Sequence, residues 1–307
     1  WGDWRDKRLG LPPLPLTDAS GRPCSPMPAA PLMLYGFSEL IVPRPGFWLP
    51  HIQAVGFLTR EPCHSVVALP ALPECELALL KSTVSRPHPC DPAADPTGRP
   101  VLVDFGGMGA MGLLGDAAHL ASVLLTALTA IQRDAIVLTG GWQPLEDACR
   151  AAMGSVTNSG RSGRRIMLCC LKALSHSLVM PGCAAVLHHA GSGTTAAALL
   201  AGCPQVVCPL QFDQYFWAQR MAWLGLAPEP LQHSDLLLSE APSTSHRADL
   251  ADNAEASCTS HGKEGAKLQS ALESALDSAT ARAAAVMAKA LAQETQLRGC
   301  SAAEVVC

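Results

Sequence analysis

The sequence predicts an α/β protein: a Rossmann-like, doubly wound parallel sheet, on three observations. Five short and almost continuous apolar runs, at 101–105, 135–139, 166–170, 184–188 and 205–208, fall between about residue 100 and residue 238. Each is separated from the next by enough chain for one helix, and strands covered on both faces show unbroken apolar runs rather than alternation. After the fourth run, a corner of small residues leads into a segment of helical composition beginning near Thr194, the strand-to-helix join that a doubly wound sheet repeats.

The flanking segments read differently. Residues 1–33 carry Pro12, Pro13, Pro15, Pro23, Pro26, Pro28 and Pro31 and are expected to be a disordered, proline-rich extension. Residues 34–99, with Pro87, Pro89, Pro92 and Pro96, read as a linker region that contributes no long helix, no sheet centre and no core. The sheet domain occupies 100–238. Residues 239–265 are polar and poor in aromatic and β-branched side chains, which predicts a disordered insertion. Residues 266–307 form the C-terminal part, where the Ala, Leu, Glu, Lys and Gln of 266–297 predict one or two helices.

Composition narrows the function classes. A chain of 307 residues, 49% of them hydrophobic, can supply a core for one large domain or two modest ones. A net charge of -4 offers no broad basic surface, so no nucleic-acid partner is expected. The 13 cysteines form no repeated CxxC pairs, and Cys169 and Cys170 are adjacent on a strand and point to opposite faces. Free buried thiols in a reducing compartment follow. Residues 1–8 lack the basic patch and apolar run of a leader, and the apolar stretch 120–131 is too short to span a membrane. The expected location is cytoplasmic, with a peripheral membrane contact left open.

The most informative segment is His188-His189-Ala190-Gly191-Ser192-Gly193-Thr194-Thr195. In an open parallel sheet, ligands sit at the carboxyl ends of the strands, where a helix N-terminus presents unpaired N–H groups and partial positive charge. Gly191 and Gly193 let the backbone approach a phosphate, Thr194 supplies a cap hydroxyl, and an imidazole adds a hydrogen bond. The plain alternative, a turn with one packed histidine, fits a lone histidine better than it fits this cluster. A second corner, Cys208-Pro209-Leu210-Gln211-Phe212-Asp213-Gln214, places a carboxylate beside an amide, which suits sugar hydroxyls. Taken alone, Asp213 reads better as a helix N-cap with Gln214 solvated.

Together these residues resemble the C-terminal domain of the sterol 3-beta-glucosyltransferase family and its bacterial antibiotic-glycosyltransferase relatives, within the UDP-glycosyltransferase superfamily. The segment HHAGSGTTAAALLAGCPQVVCPLQFDQYFWAQRMAWLGLAP carries the resemblance. Phe105-Gly106-Gly107-Met108 is similar to the family's FGSM turn, Gly140-Gly141-Trp142 to its GGW, and 175–181 to its PHDWLFP. Residues 34–57 look like its interdomain link, so the likeness covers 34–230, with a weaker match at 281–306.

The resemblance implies a GT-B fold in which this domain binds a UDP-sugar. His189, Gly191, Gly193 and Thr194, with Gly106 and Gly107, would hold the diphosphate. Asp213 and Gln214 would read the sugar, and His176 would lie near the nucleoside. The implied reaction moves a hexose, glucose foremost, to a sterol or other lipid-like hydroxyl with inversion, and uses no metal and no cofactor beyond the donor.

The departures are Ala190 for the family's glycine, Gly107 for its serine, Ser175 and Ser177 for its proline and aspartate, and Ala197 where plant relatives carry glutamate. The catalytic base belongs to an N-terminal domain in this family, and none of His51, His64 and His88 is expected to replace it. Two alternatives stand beside this reading: an inactive truncated paralogue acting as a binding module, and an NAD(P)-dependent oxidoreductase. The second rests on Gly107-x-Gly109-x-x-Gly112 after a strand, but no acidic residue ends the following strand.

Overall fold

The computed structural model describes residues 7, 8, 10, 32–58, 72–91, 97–156, 165–236 and 254–298. The chain divides into two compact units, Trp1–Phe57 and Leu58–Cys307. In the first, strands β1 (Met33–Tyr35) and β2 (Ile52–Ala54) pair in parallel. The Tyr35 ring stacks on Trp48 at 4.7 Å between centroids, and the Arg44 guanidinium donates to the Trp48 and Leu49 carbonyls. Apart from residues 7, 8, 10, 32 and 33, the proline-rich segment 1–33 lies outside the described residues.

The second unit is built on a five-stranded parallel sheet of order β5-β4-β3-β6-β7. Its strands are β3 (Val101–Asp104), β4 (Ala135–Leu138), β5 (Leu168–Leu171), β6 (Ala185–His188) and β7 (Gln205–Val207). All five predicted apolar runs are strands. The third starts late because Met167 N donates to the Asp134 side chain and the β4–β5 register opens at Leu168.

Side-chain alternation sorts the strands between two cores. Val101, Val103, Val137, Cys170, Leu187 and Val206 face one side, while Leu102, Ile136, Cys169, Leu171 and Val186 face the other. The first face is covered by α2 (Ala117–Ala130), α3 (Gln143–Val156) and α8 (Ala254–Leu276). Asp116 caps α2 by accepting from Ala118 N, and the helix buries Leu120, Leu124 and Leu128.

The second face packs against α1 (Glu74–Val84), the short α4 (His176–Val179) and α5 (Ser192–Ala201). Helix α6 (Gln214–Trp223), the single turn α7 (His233–Leu236) and α9 (Ser278–Arg298) complete the unit, with α9 lying on α5. The stretch 266–297, expected to form one or two helices, holds the C-terminal half of α8 and most of α9.

Two expectations are corrected. Helix α1 lies inside the region read as linker, and its Leu80 is fully buried in the second core. Prolines bracket residues 74–84 without entering them, and Glu74 and Glu76 favour the helix N-terminus. Helix α8 begins at Ala254, so it reaches back into the stretch 239–265 read as disordered, where alanine, glutamate and lysine propagate the helix. Residues 239–253 lie outside the described residues.

Candidate functional site

Strand order reverses between β3 and β6, whose partners continue outward in opposite directions, and this crevice is where open α/β sheets bind ligands. Asp104 and His188 end these strands side by side in register. Most of the residues singled out in the sequence belong to loops leaving this edge.

The two adjacent histidines have different surroundings. His188 is fully buried: the Ala190 amide donates to its Nδ1 at 3.1 Å, and its Nε2 lies 2.9 Å from Gln205 Oε1. The amide fixes the lone pair on Nδ1, so Nε2 carries the proton and donates to Gln205. Burial, reinforced by the neighbouring His189, pushes its pKa down to about 4, and the ring is neutral. Ala190, held by this bond, adopts φ +59° at the position where the family carries glycine.

His189 is 8% exposed, and its Nδ1 has no hydrogen-bond partner among the described residues. Burial lowers its pKa too, against the opposing pull of Asp104 and Asp213. Its ring lies between two glycines: a Cβ on Gly106 would stand 3.3 Å from Cε1, and one on Gly191 only 2.5 Å from Nε2. Gly106 also takes φ +55°, and Gly140 takes φ +61° with its hydrogen facing the Gly106 carbonyl, where a Cβ would lie 2.0 Å away. The turns after β3, β4 and β6 therefore interlock through hydrogen-sized contacts.

Helix α5 begins at Ser192 with Gly191 as N-cap, and its first hydrogen bond runs from Thr195 N to the Gly191 carbonyl. The preceding amides have no intrahelical acceptor. Ser192 and Gly193 are exposed at this end. Thr194 is not the cap that the sequence suggested. It sits in the first turn, 8% exposed, because the helix starts two residues earlier. Gly107 is exposed in the turn after β3, with open space around it.

The second corner behaves otherwise than expected from composition. Phe212 takes φ +51° and is 83% exposed, and Asp213 beside it is exposed and accepts from Trp217 Nε1 at 3.0 Å. Gln214 is buried rather than solvated, and its Oε1 accepts from Leu210 N at 2.8 Å and Gln211 N at 3.0 Å. It braces the loop that presents Asp213, while its Nε2 faces the Met108 sulfur at 3.7 Å.

His176 opens α4 with Nε2 2.7 Å from Asp104 Oδ2, while Asp104 Oδ1 accepts from Gly106 N at 2.8 Å. Burial raises the Asp104 pKa, but the hydrogen bonds from His176 and Gly106 outweigh it and hold the carboxyl below its ordinary range. Asp104 was not singled out by the sequence reading. Its signal was an acid ending an otherwise apolar strand.

The dinucleotide fingerprint lacks its context, because Gly107, Gly109 and Gly112 lie in turns and α2 begins only at Ala117. Gly109 instead lies under the Trp142 indole. Among the described residues, no group of histidine, cysteine and carboxylate side chains is arranged to hold a metal, eight cysteines are free, and no helix is long and apolar enough to cross a membrane.

Residues 170–257 match the family model described as Erythromycin biosynthesis protein CIII-like, C-terminal domain. The chain is 27% identical over 242 residues to a sterol 3-beta-glucosyltransferase of Arabidopsis thaliana, covering 79% of this chain and 33% of that protein. It is 50% identical over 56 residues to the O-mycaminosyltylonolide 6-deoxyallosyltransferase of Streptomyces fradiae, covering 18% of this chain and 13% of that one. Among solved structures, the spinosyn rhamnosyltransferase SpnG aligns over 91% of this chain and 56% of its own, with 18% identity and a TM-score of 0.47. The chain spans about a third of the length of the two Arabidopsis sterol glucosyltransferases it matches. Its sheet domain is similar to the C-terminal domains of UDP-glycosyltransferases.

Proposed function

We propose that this chain supplies the donor site of a glycosyltransferase that moves a hexose, glucose foremost, from a UDP-sugar to a sterol or similar lipid-like hydroxyl with inversion. The observation that carries it is His189: a neutral, nine-tenths buried imidazole whose Nδ1 has no partner among the described residues, held between Gly106 and Gly191 at the open N-terminus of α5. Backbone amides, helix dipole and imidazole all favour an oxyanion at that spot.

In this reading the diphosphate lies over Gly106, Gly107, His189, Gly191, Gly193 and Thr194. The Asp213 carboxylate takes hydroxyls of the sugar. Gln214 acts mainly by holding that loop, since its amide oxygen is committed to Leu210 and Gln211. As the anomeric bond breaks, charge gathers on the departing diphosphate, and the preorganised donors of α5 and His189 stabilise it there. The chemistry requires no metal, and binding should survive chelation. Among the described residues none is assigned the acceptor's proton, and transfer also requires an acceptor-side base. The names of the sterol glucosyltransferase relatives support the acceptor class.

Calorimetric titration with UDP and UDP-glucose tests the reading. Saturable binding by the wild type, lost in His189→Ala, is expected, whereas NAD should give no heat. No UDP binding would leave the binding-module alternative.

A further inference from the structure

We propose that Asp104 is a positioning residue for nucleotide recognition: it fixes the ring proton of His176 on Nε2, so that Nδ1 meets the nucleoside of the donor. This rests on the donor-site reading above and adds to it a residue and a proton position.

Asp104 is 4% exposed and ends β3 at the strand-order reversal, yet both its oxygens are engaged. Oδ1 accepts from Gly106 N, which belongs to the turn on the diphosphate side, and Oδ2 faces His176 Nε2. Held as a carboxylate, it can only accept, so Nε2 must donate. In the neutral ring Nδ1 is then the acceptor, and it has no hydrogen-bond partner among the described residues. The His176 side chain is 31% exposed, enough to reach a ligand. The charged and titratable groups that act on the pair are His188 beside Asp104, together with His189. One side chain thus joins the phosphate turn to the loop after β5, and sets which nitrogen of His176 offers a lone pair to an N–H or O–H of the nucleoside.

Asp104→Asn separates this role from simple support. The amide oxygen can still accept from Gly106 N, but the other end of the side chain becomes an NH2 donor. His176 Nε2 must then accept, its proton moves to Nδ1, and the face offered to the nucleoside changes from acceptor to donor. The experiment pairs nitrogen-detected NMR of the histidine rings with titrations of UDP and of inorganic pyrophosphate.

The wild type should show the Nε2–H form at His176, and Asp104→Asn the Nδ1–H form. UDP affinity should fall about tenfold, the scale of one hydrogen bond, while pyrophosphate affinity stays within about twofold. His176→Ala should reproduce the selective loss of UDP. Equal losses for UDP and pyrophosphate, an unchanged UDP affinity in either variant, or an Nδ1–H wild-type ring would each overturn the proposal. The last needs no variant to fold. Wild-type protein that fails to bind UDP overturns the donor-site reading as well, whereas wild-type binding with indifferent variants removes only the role of Asp104.

Discussion

His188 and Gln205 are joined inside the sheet by a 2.9 Å hydrogen bond between the last residue of β6 and the first residue of β7, and neither side chain reaches solvent. That bond and the Ala190 amide use both ring nitrogens, so the first histidine of the doublet builds the corner and leaves His189 to face the cleft.

The arrangement makes stability depend on pH. An unfolded histidine takes up a proton near its ordinary value of 6.5, while folded His188 resists protonation until about 4. Its folded pKa is depressed, so between these values the unfolded chain binds more protons and stability falls as pH falls. The full loss, reached near pH 4, is on the order of 3 kcal/mol. His189, lowered in the same direction, adds to it. Urea unfolding from pH 7 to pH 4 should show the slope, and His188→Gln should flatten it.

Gly140→Ala should be strongly destabilising. A methyl group there would overlap the Gly106 carbonyl and also force a left-handed φ on an alanine. Overpacking and backbone strain together should cost about 3 kcal/mol. Thermal melting measures the loss, and Gly107→Ala, with open space around its Cβ position, is the control that should melt near the wild type.

Thr195→Val should stabilise the fold. The Thr195 hydroxyl is fully buried and has no hydrogen-bond partner among the described residues, so replacing it by a methyl group removes an uncompensated desolvation. The expected gain is about 1 kcal/mol in denaturant unfolding.

Gln214→Leu should loosen the sugar-side loop. Two backbone amides, of Leu210 and Gln211, lose their acceptor together, at a cost of about 2 kcal/mol. Hydrogen exchange at those two amides should accelerate, and UDP-glucose affinity should drop more than UDP affinity.

Much of this was legible in the sequence because one physical signal dominated it. Strands buried on both faces leave apolar runs, and 101–105, 135–139 and 205–208 could be read within a residue or two. The double histidine with its glycines announced a strand-to-helix corner. It did not announce which imidazole points inward, since that depends on Gln205, one strand away. Asp104 and His176 are 72 residues apart and meet only because their strands end at one edge of the sheet. Local composition also misjudged α1: proline frequency averaged over the first hundred residues hid an eleven-residue window free of it, and Leu80 joins the second core from a helix that packs on β5 and α4.

Helices α8 and α9 bury Leu268, Leu272, Ala275, Ala284, Ala288 and Leu291, although they follow every residue of the candidate site. Shortened expression products ending soon after Leu236 would keep the whole donor constellation and expose the hydrocarbon of α2 that Leu268 and Leu272 cover. Such products should aggregate rather than bind nucleotide, so recombinant work on this domain has to carry the chain through α9.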